Sequence, residues 1–123
     1  MVDVSLDQAF AAFALTVAYP PDTVNIPGTG QAADVKQRVT FAVSGGLSTA
    51  SDDDDQGGDG VDDTLHASFV SNVDNPSGKV LTVTFDCTAG QPVPTASAFT
   101  CTVVSASNAA ADTINPNCTL QVR

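Results

Sequence analysis

The chain has 123 residues and a formal charge of −10, set by fourteen aspartates against Lys36, Arg38, Lys79 and Arg123, with one tyrosine and no glutamate or tryptophan. A surface this acidic repels phosphate backbones and anionic lipid, which argues against nucleic acid or a membrane as partner. The length suits one domain over 1–123 around one core, and Val, Phe and Thr outnumber strong helix formers other than Ala, so an all-β fold is expected.

Short alternating segments follow one another along the chain. Residues 2–6 put Val2, Val4 and Leu6 on one face. Residues 12–19 put Phe13, Leu15, Val17 and Tyr19 on one face and Ala12, Ala14, Thr16 and Ala18 on the other, a period of two. The apolar run 9–18 is too short to cross a bilayer, and Asp3 and Asp7 precede it where a signal peptide carries Lys or Arg; it is read as a strand. Pro20 and Pro21 end it, because neither donates to a ladder. A short strand is expected over 23–26, and a longer one over 35–43, with Val35, Val39, Phe41 and Val43 on one phase.

Residues 51–63, "SDDDDQGGDGVDD", hold seven of the fourteen aspartates and are read as a connection between strands 35–43 and 63–71. A calcium loop takes oxygen ligands at alternating positions, a glycine at the sixth for a sharp turn and a carbonyl at the seventh. With Asp55 first, Asp59, Gly60, the Val61 carbonyl and Asp63 fall at positions five, six, seven and nine, and Asp53 is placed to fold back over the loop. Gly57 at position three and His66 at position twelve depart from that pattern. Crowded carboxylates repel one another and a divalent cation relieves that repulsion, so bound calcium is one expectation and a solvated acidic loop the other.

Strands are then expected over 63–71, with Thr64, His66, Ser68 and Val70 on the outward phase, over 79–87, over 98–105 and over 118–122. His66 reads as an exposed strand residue or a partner contact. Nothing in the sequence sets a nucleophile, base or phosphate cradle beside the aspartate run, so no catalytic residue is assigned. Cys87, Cys101 and Cys118 have no CxxC spacing, which disfavours zinc; one disulfide and one leftover thiol are expected, in an oxidising, extracellular or cell-surface setting.

The succession "FALTVAYPPDTVNIPG", "VTFAVSGG", "GVDDTLHASFVS", "GKVLTVTFDC", "FTCTVVSAS" and "CTLQV" resembles the cohesin domain of bacterial scaffold and surface proteins. Tyr19-Pro20-Pro21-Asp22 stands where such domains commonly show Tyr-Asp-Pro, and the cysteines and the acidic insertion mark a divergent, non-cellulosomal pattern. The resemblance implies a nine-stranded antiparallel β-sandwich of jelly-roll topology with its first and last strands adjacent. It also implies a non-catalytic receptor that binds a calcium-loaded helical module, a dockerin, through one flat sheet face. That face would comprise 23–26, Thr64, His66, Ser68 and Val70, and Thr100, Thr102 and Val104.

In such a sandwich strands 79–87 and 98–105 lie in opposite sheets, which makes Cys87–Cys101 the expected disulfide, with Cys101–Cys118 as the alternative. Two other classes of function stand beside the receptor reading. A carbohydrate-binding module would need exposed aromatic rings that this chain scarcely has. A structural or adhesive subunit of a surface or fibre assembly would self-associate through exposed strand edges such as 35–43.

Overall fold

A computed structural model of the chain describes residues 1–53 and 63–123; for Asp53 only the backbone is described. Among the described residues ten strands run in chain order: β1 (Val2–Leu6), β2 (Phe10–Ala18), β3 (Val24–Asn25), β4 (Val39–Phe41), β5 (Gly46–Asp53), β6 (Thr64–Asn75), β7 (Gly78–Val83), β8 (Asp86–Cys87), β9 (Thr100–Ser107) and β10 (Cys118–Val122). One short helix, α1 (Ala33–Gln37), precedes β4. The strands form an antiparallel sandwich: sheet A in the order β10-β1-β7-β4, sheet B in the order β5-β6-β2-β9, and a small ribbon of β3 with β8.

Period-two alternation builds the core. Val2, Val4 and Leu6 of sheet A and Phe13, Leu15, Val17, Leu65, Ala67 and Phe69 of sheet B are all buried, so each strand turns one side chain in two toward the opposing sheet. Phe10, Phe13 and Phe69 anchor one end, with Phe10 edge-on to Phe13 at 5.2 Å and Phe13 stacked on Phe69 at 5.9 Å. Tyr19, Phe85 and Phe99 cluster at the other, with centroids 5.2 and 5.4 Å apart.

Three expectations are corrected. The nine expected strands are ten among the described residues: the expected strand 79–87 divides into β7 and β8, and residues 46–53 form β5, an edge strand of sheet B; "GLSTASDD" has almost no apolar residue to signal pairing, and its partner β6 imposes the extended form. Residues 35–43 are not one strand. Val35 and Val39 lie four apart, a spacing that serves one face of a helix, and the chain makes α1 with Val35 buried before β4 begins. The acidic stretch therefore connects β5 to β6.

The third correction is the disulfide, which joins Cys101 to Cys118 across 5.9 Å between Cα atoms. Strand β7 ends at Val83, and the chain then leaves sheet A for the ribbon, where Cys87 pairs with Val24 and stays a free, exposed thiol. After β9 the chain doubles back along it: Ser107 bridges Thr113, and the Ile114 N–H donates to the Ala106 carbonyl at 3.1 Å. That return brings Cys118 level with Cys101, so the bond clamps the edge of sheet A to that of sheet B.

The outer face of sheet A carries charge in pairs. Asp3 is buried under Arg123, whose Nε donates to Oδ2 at 2.6 Å and whose Nη2 donates to Oδ1 at 3.0 Å, while the Thr82 hydroxyl donates to Oδ1 at 2.6 Å. Hydrogen bonds from Arg123 first and Thr82 second hold its carboxyl down at about 2 against an ordinary 3.8. Asp7, which accepts from the backbone and side-chain amides of Asn117, is also lowered.

Two outcomes follow. A 17-residue separation gives the Cys101–Cys118 bond about 3 kcal/mol in the chain-entropy model. Chemical denaturation with and without reductant should show a loss of that order, Cys118→Ser should reproduce it, and Cys87→Ser should not. Because the Asp3 pKa is depressed on folding, its contribution is complete above about 3.8 and disappears as pH falls toward 2. Exposure of the Arg123 partner screens this to about 1–2 kcal/mol, and Asp3→Asn should flatten that limb of a stability-against-pH profile.

Candidate interaction face

The outer face of sheet B is laid out by register. Strand β2 sits between β6 and β9, and β6 between β2 and β5, so directly paired residues form rows across four strands. The first row runs Leu47, Val70, Ala12, Ser107, and the second Thr49, Ser68, Ala14, Ser105. The third runs Ser51, His66, Thr16, Thr102, and the fourth brings Thr64, Ala18 and Thr100 together next to Asp53. A register shift between Ala14 and Leu15 adds a residue to β9, and Val104 stands out there at 67% exposure.

The chemistry of the face follows from the residues that alternation leaves outside. Across its first three rows it has no carboxylate, ammonium, guanidinium or benzenoid ring, and His66 is its only ring. Its central rows are hydroxyls and methyls, with the Thr49 and Ser68 hydroxyls 2.7 Å apart. Aliphatic side chains stand at the margins: Leu47 is 80% exposed and Val70 60%. Small side chains on a paired, register-fixed sheet make a flat surface that costs little to order, and a partner that covers it must hydrogen-bond its hydroxyls.

Among the residues assigned from sequence to partner binding, the structure brings His66, Ser68, Val70, Thr100 and Thr102 to this one face. Thr64 shares the phase but is buried, its hydroxyl donating to Asp63 Oδ1 at 3.1 Å. The segment 23–26 is elsewhere, since β3 pairs with β8 in the ribbon. Sequence reading missed the β2 contribution of Ala12, Ala14, Thr16 and Ala18, although their phase was visible, because nothing local says that β2 is interior to its sheet. It missed Leu47, Thr49 and Ser51 because β5 itself was missed.

Of the residues assigned to calcium, Asp55, Asp59 and Val61 and the side chain of Asp53 lie outside the described residues. Asp63 is half-buried, and its carbonyl accepts the Tyr19 N–H at 2.9 Å. Among the described residues no three His, Cys, Asp or Glu side chains gather in a metal-binding group. Next to that segment, Asp52 is 2% exposed, and both its carboxylate oxygens lie 2.9 Å from the Tyr19 hydroxyl, which donates to them. The Asp52 backbone exchanges two hydrogen bonds with Gly30, at 2.8 and 2.9 Å. Buried carboxylate, tyrosine and backbone bridge together fix the end of β5 from which the acidic segment departs.

No protein-family model, no curated protein and no solved structure matches the chain.

Tyr19→Phe removes a donor to a buried carboxylate while keeping the ring packed on Phe85. It should cost about 1.5–3 kcal/mol in denaturant unfolding, against a change within about 0.5 kcal/mol for the exposed Thr102→Val.

Proposed function

We propose that this protein is a non-catalytic binding module, a divergent cohesin-like receptor whose docking surface is the outer face of sheet B. The observation that carries the reading is the contrast between the two sheets. Sheet A turns outward a hydrogen-bonded set of Asp3, Arg123, Lys79 and Thr82, which is already satisfied within the chain. Sheet B turns outward flat, neutral rows bordered by exposed aliphatic side chains, and that absence of charge is what supports a docking surface there.

The jelly-roll topology belongs to the same reading, and the pairing of β1 with β10 supports it. A helical module of the dockerin kind suits a flat face, because two helices lay aliphatic side chains across strand rows without needing a pocket. The Cys101–Cys118 disulfide supports an extracellular or cell-surface setting. Calcium enters as a ligand of the aspartate-rich segment around Asp53, Asp55, Asp59, the Val61 carbonyl and Asp63, where it would steady the hairpin end of the same sheet.

Capture from the medium of the native producer tests the reading. The immobilised protein should retain a helical protein with paired calcium loops, and Ser68→Arg or Thr102→Arg should weaken capture at least about tenfold by placing unpaired charge under the partner. Thr119→Arg on sheet A should leave capture intact. Calcium at tenfold excess over its Kd should raise stability by about 1.4 kcal/mol in a melt, reversed by chelator. Capture that ignores both face variants contradicts the docking surface, and a melt indifferent to calcium removes the ion.

A further inference from the structure

We infer that two copies of this chain associate edge to edge through β5, in an antiparallel pairing with Leu47 at the two-fold axis. The inference rests on the backbone edge of sheet B and shares with the docking face only Leu47 and Val70, at one margin.

Backbone parity identifies what the edge offers. Asp52 turns its N–H and C=O away from β6, since both bond to Gly30. The β5–β6 register runs without a shift from Gly46 to Asp53, so Ser48 and Gly46, an even number of residues away, turn their groups toward the same open side. Their ladder positions there are unfilled by any described strand, because β5 is the end of its sheet. Such groups hydrogen-bond another extended strand.

The other long edges of the sandwich are protected. The β9 edge carries the Ser107–Thr113 bridge and is clamped to β10 by the disulfide, and the β4 edge is three residues long. The open part of β5 carries no guard of its own: residues 44–51, "SGGLSTAS", include no charge and no proline in a chain of net charge −10, the strand's aspartates fall at its far end, and Lys36 of α1 is the nearby charge beside Ser48 and Thr49.

The open run has the length of a self-pairing. At one end Gly45, at a φ of 82°, turns the chain away; at the other Ala50 is buried, with α1 packed against the strand. Between them Gly46, Leu47, Ser48 and Thr49 are exposed. A two-fold at Leu47 sets Gly46 against Ser48 of the second copy and Ser48 against Gly46, two hydrogen-bonded pairs that use the open groups. It sets Leu47 against Leu47 in the close, non-hydrogen-bonded position between them. Leu47 lies opposite Val70 within its own sheet, so pairing creates one apolar row of Val70, Leu47, Leu47 and Val70 across both copies from residues 60–80% exposed in each.

Gly46 holds the strand in place for this. A Cβ there would sit 2.2 Å from the Val70 carbonyl oxygen, so only glycine permits the close approach of β5 to β6 at that point.

The charge at the end of β5 lies far from the paired run. Asp53 is six residues from Leu47, and antiparallel symmetry puts the two Asp53 positions about 40 Å apart along the strands at about 3.3 Å per residue. That is several times the ~8 Å screening length at physiological salt.

Sedimentation velocity over a concentration series tests the inference on the full chain, with Cys87→Ser as background. A concentration-dependent dimer is expected, weakened at least about tenfold by Leu47→Lys, which places like charges at the axis. Ser48→Pro, which removes an outward N–H, should weaken it likewise. Leu47→Lys at so exposed a position should melt as the parent does, which separates lost pairing from lost folding. In a Leu47→Cys variant mild oxidation should give a disulfide-linked dimer, because facing Cβ atoms in a close pair lie about 5 Å apart. A chain that stays monomeric at high micromolar concentration overturns the inference. So does a dimer indifferent to Leu47→Lys, or one in which the introduced cysteines fail to link.

Discussion

The pairing of β2 with β6 and β9 is the constraint on which the rest of the structure depends. Strand β2 supplies Phe10, Phe13, Leu15 and Val17 to the core, all buried, and its position between two long strands leaves its alternate residues nowhere to go but the outer face. Because the side-chain period is two, a slip of one residue would exchange the two sets. Core and candidate face are therefore fixed by the same register: Leu15 and Val17 inward compel Ala14, Thr16 and Ala18 outward. The flat, neutral character of sheet B follows from which small residues occupy that second phase.

The same logic explains how charge is distributed. Asp3 is on the outward phase of β1, next to β10 and β7, and Arg123, Lys79 and Thr82 close over it. One sheet thus sets a charged network on its outward positions, and the other sets neutral side chains there, with the Thr49 and Ser68 hydroxyls bonded to each other. Asp52 is the exception on the inward phase, and its burial is made tolerable by the Tyr19 hydroxyl. This arrangement ties the single tyrosine of the chain to the root of its most acidic segment.

What was legible in the sequence was local periodicity. Strands β1 and β10 agree residue for residue with the alternation read from 2–6 and 118–122, and the outward phase is as read for β6, though Thr64 is buried, and for β9 as far as Val104, where the register shift turns Ser105 outward. What escaped was set by partners far along the chain. Strand β5 has weak intrinsic preference and is extended because β6 pairs with it; α1 and β4 share a valine spacing that serves both helix and strand; and Cys118 reaches Cys101 only because 108–117 return along β9. Each miss concerns an edge of a sheet, where half the neighbours that would dictate conformation are lacking. The candidate face was half visible: its β6 and β9 columns were read, its β5 column was lost with that edge strand, and its β2 column required the strand order.

The central proposal is that a partner docks on the outer face of sheet B. Hydroxyl-radical footprinting of the protein alone and with its captured partner reads this directly, residue by residue. The account predicts that His66, Val70 and Val104 lose reactivity in the complex while Lys79 and Gln121 on sheet A keep theirs. Protection of the sheet A residues with His66, Val70 and Val104 unchanged would contradict it.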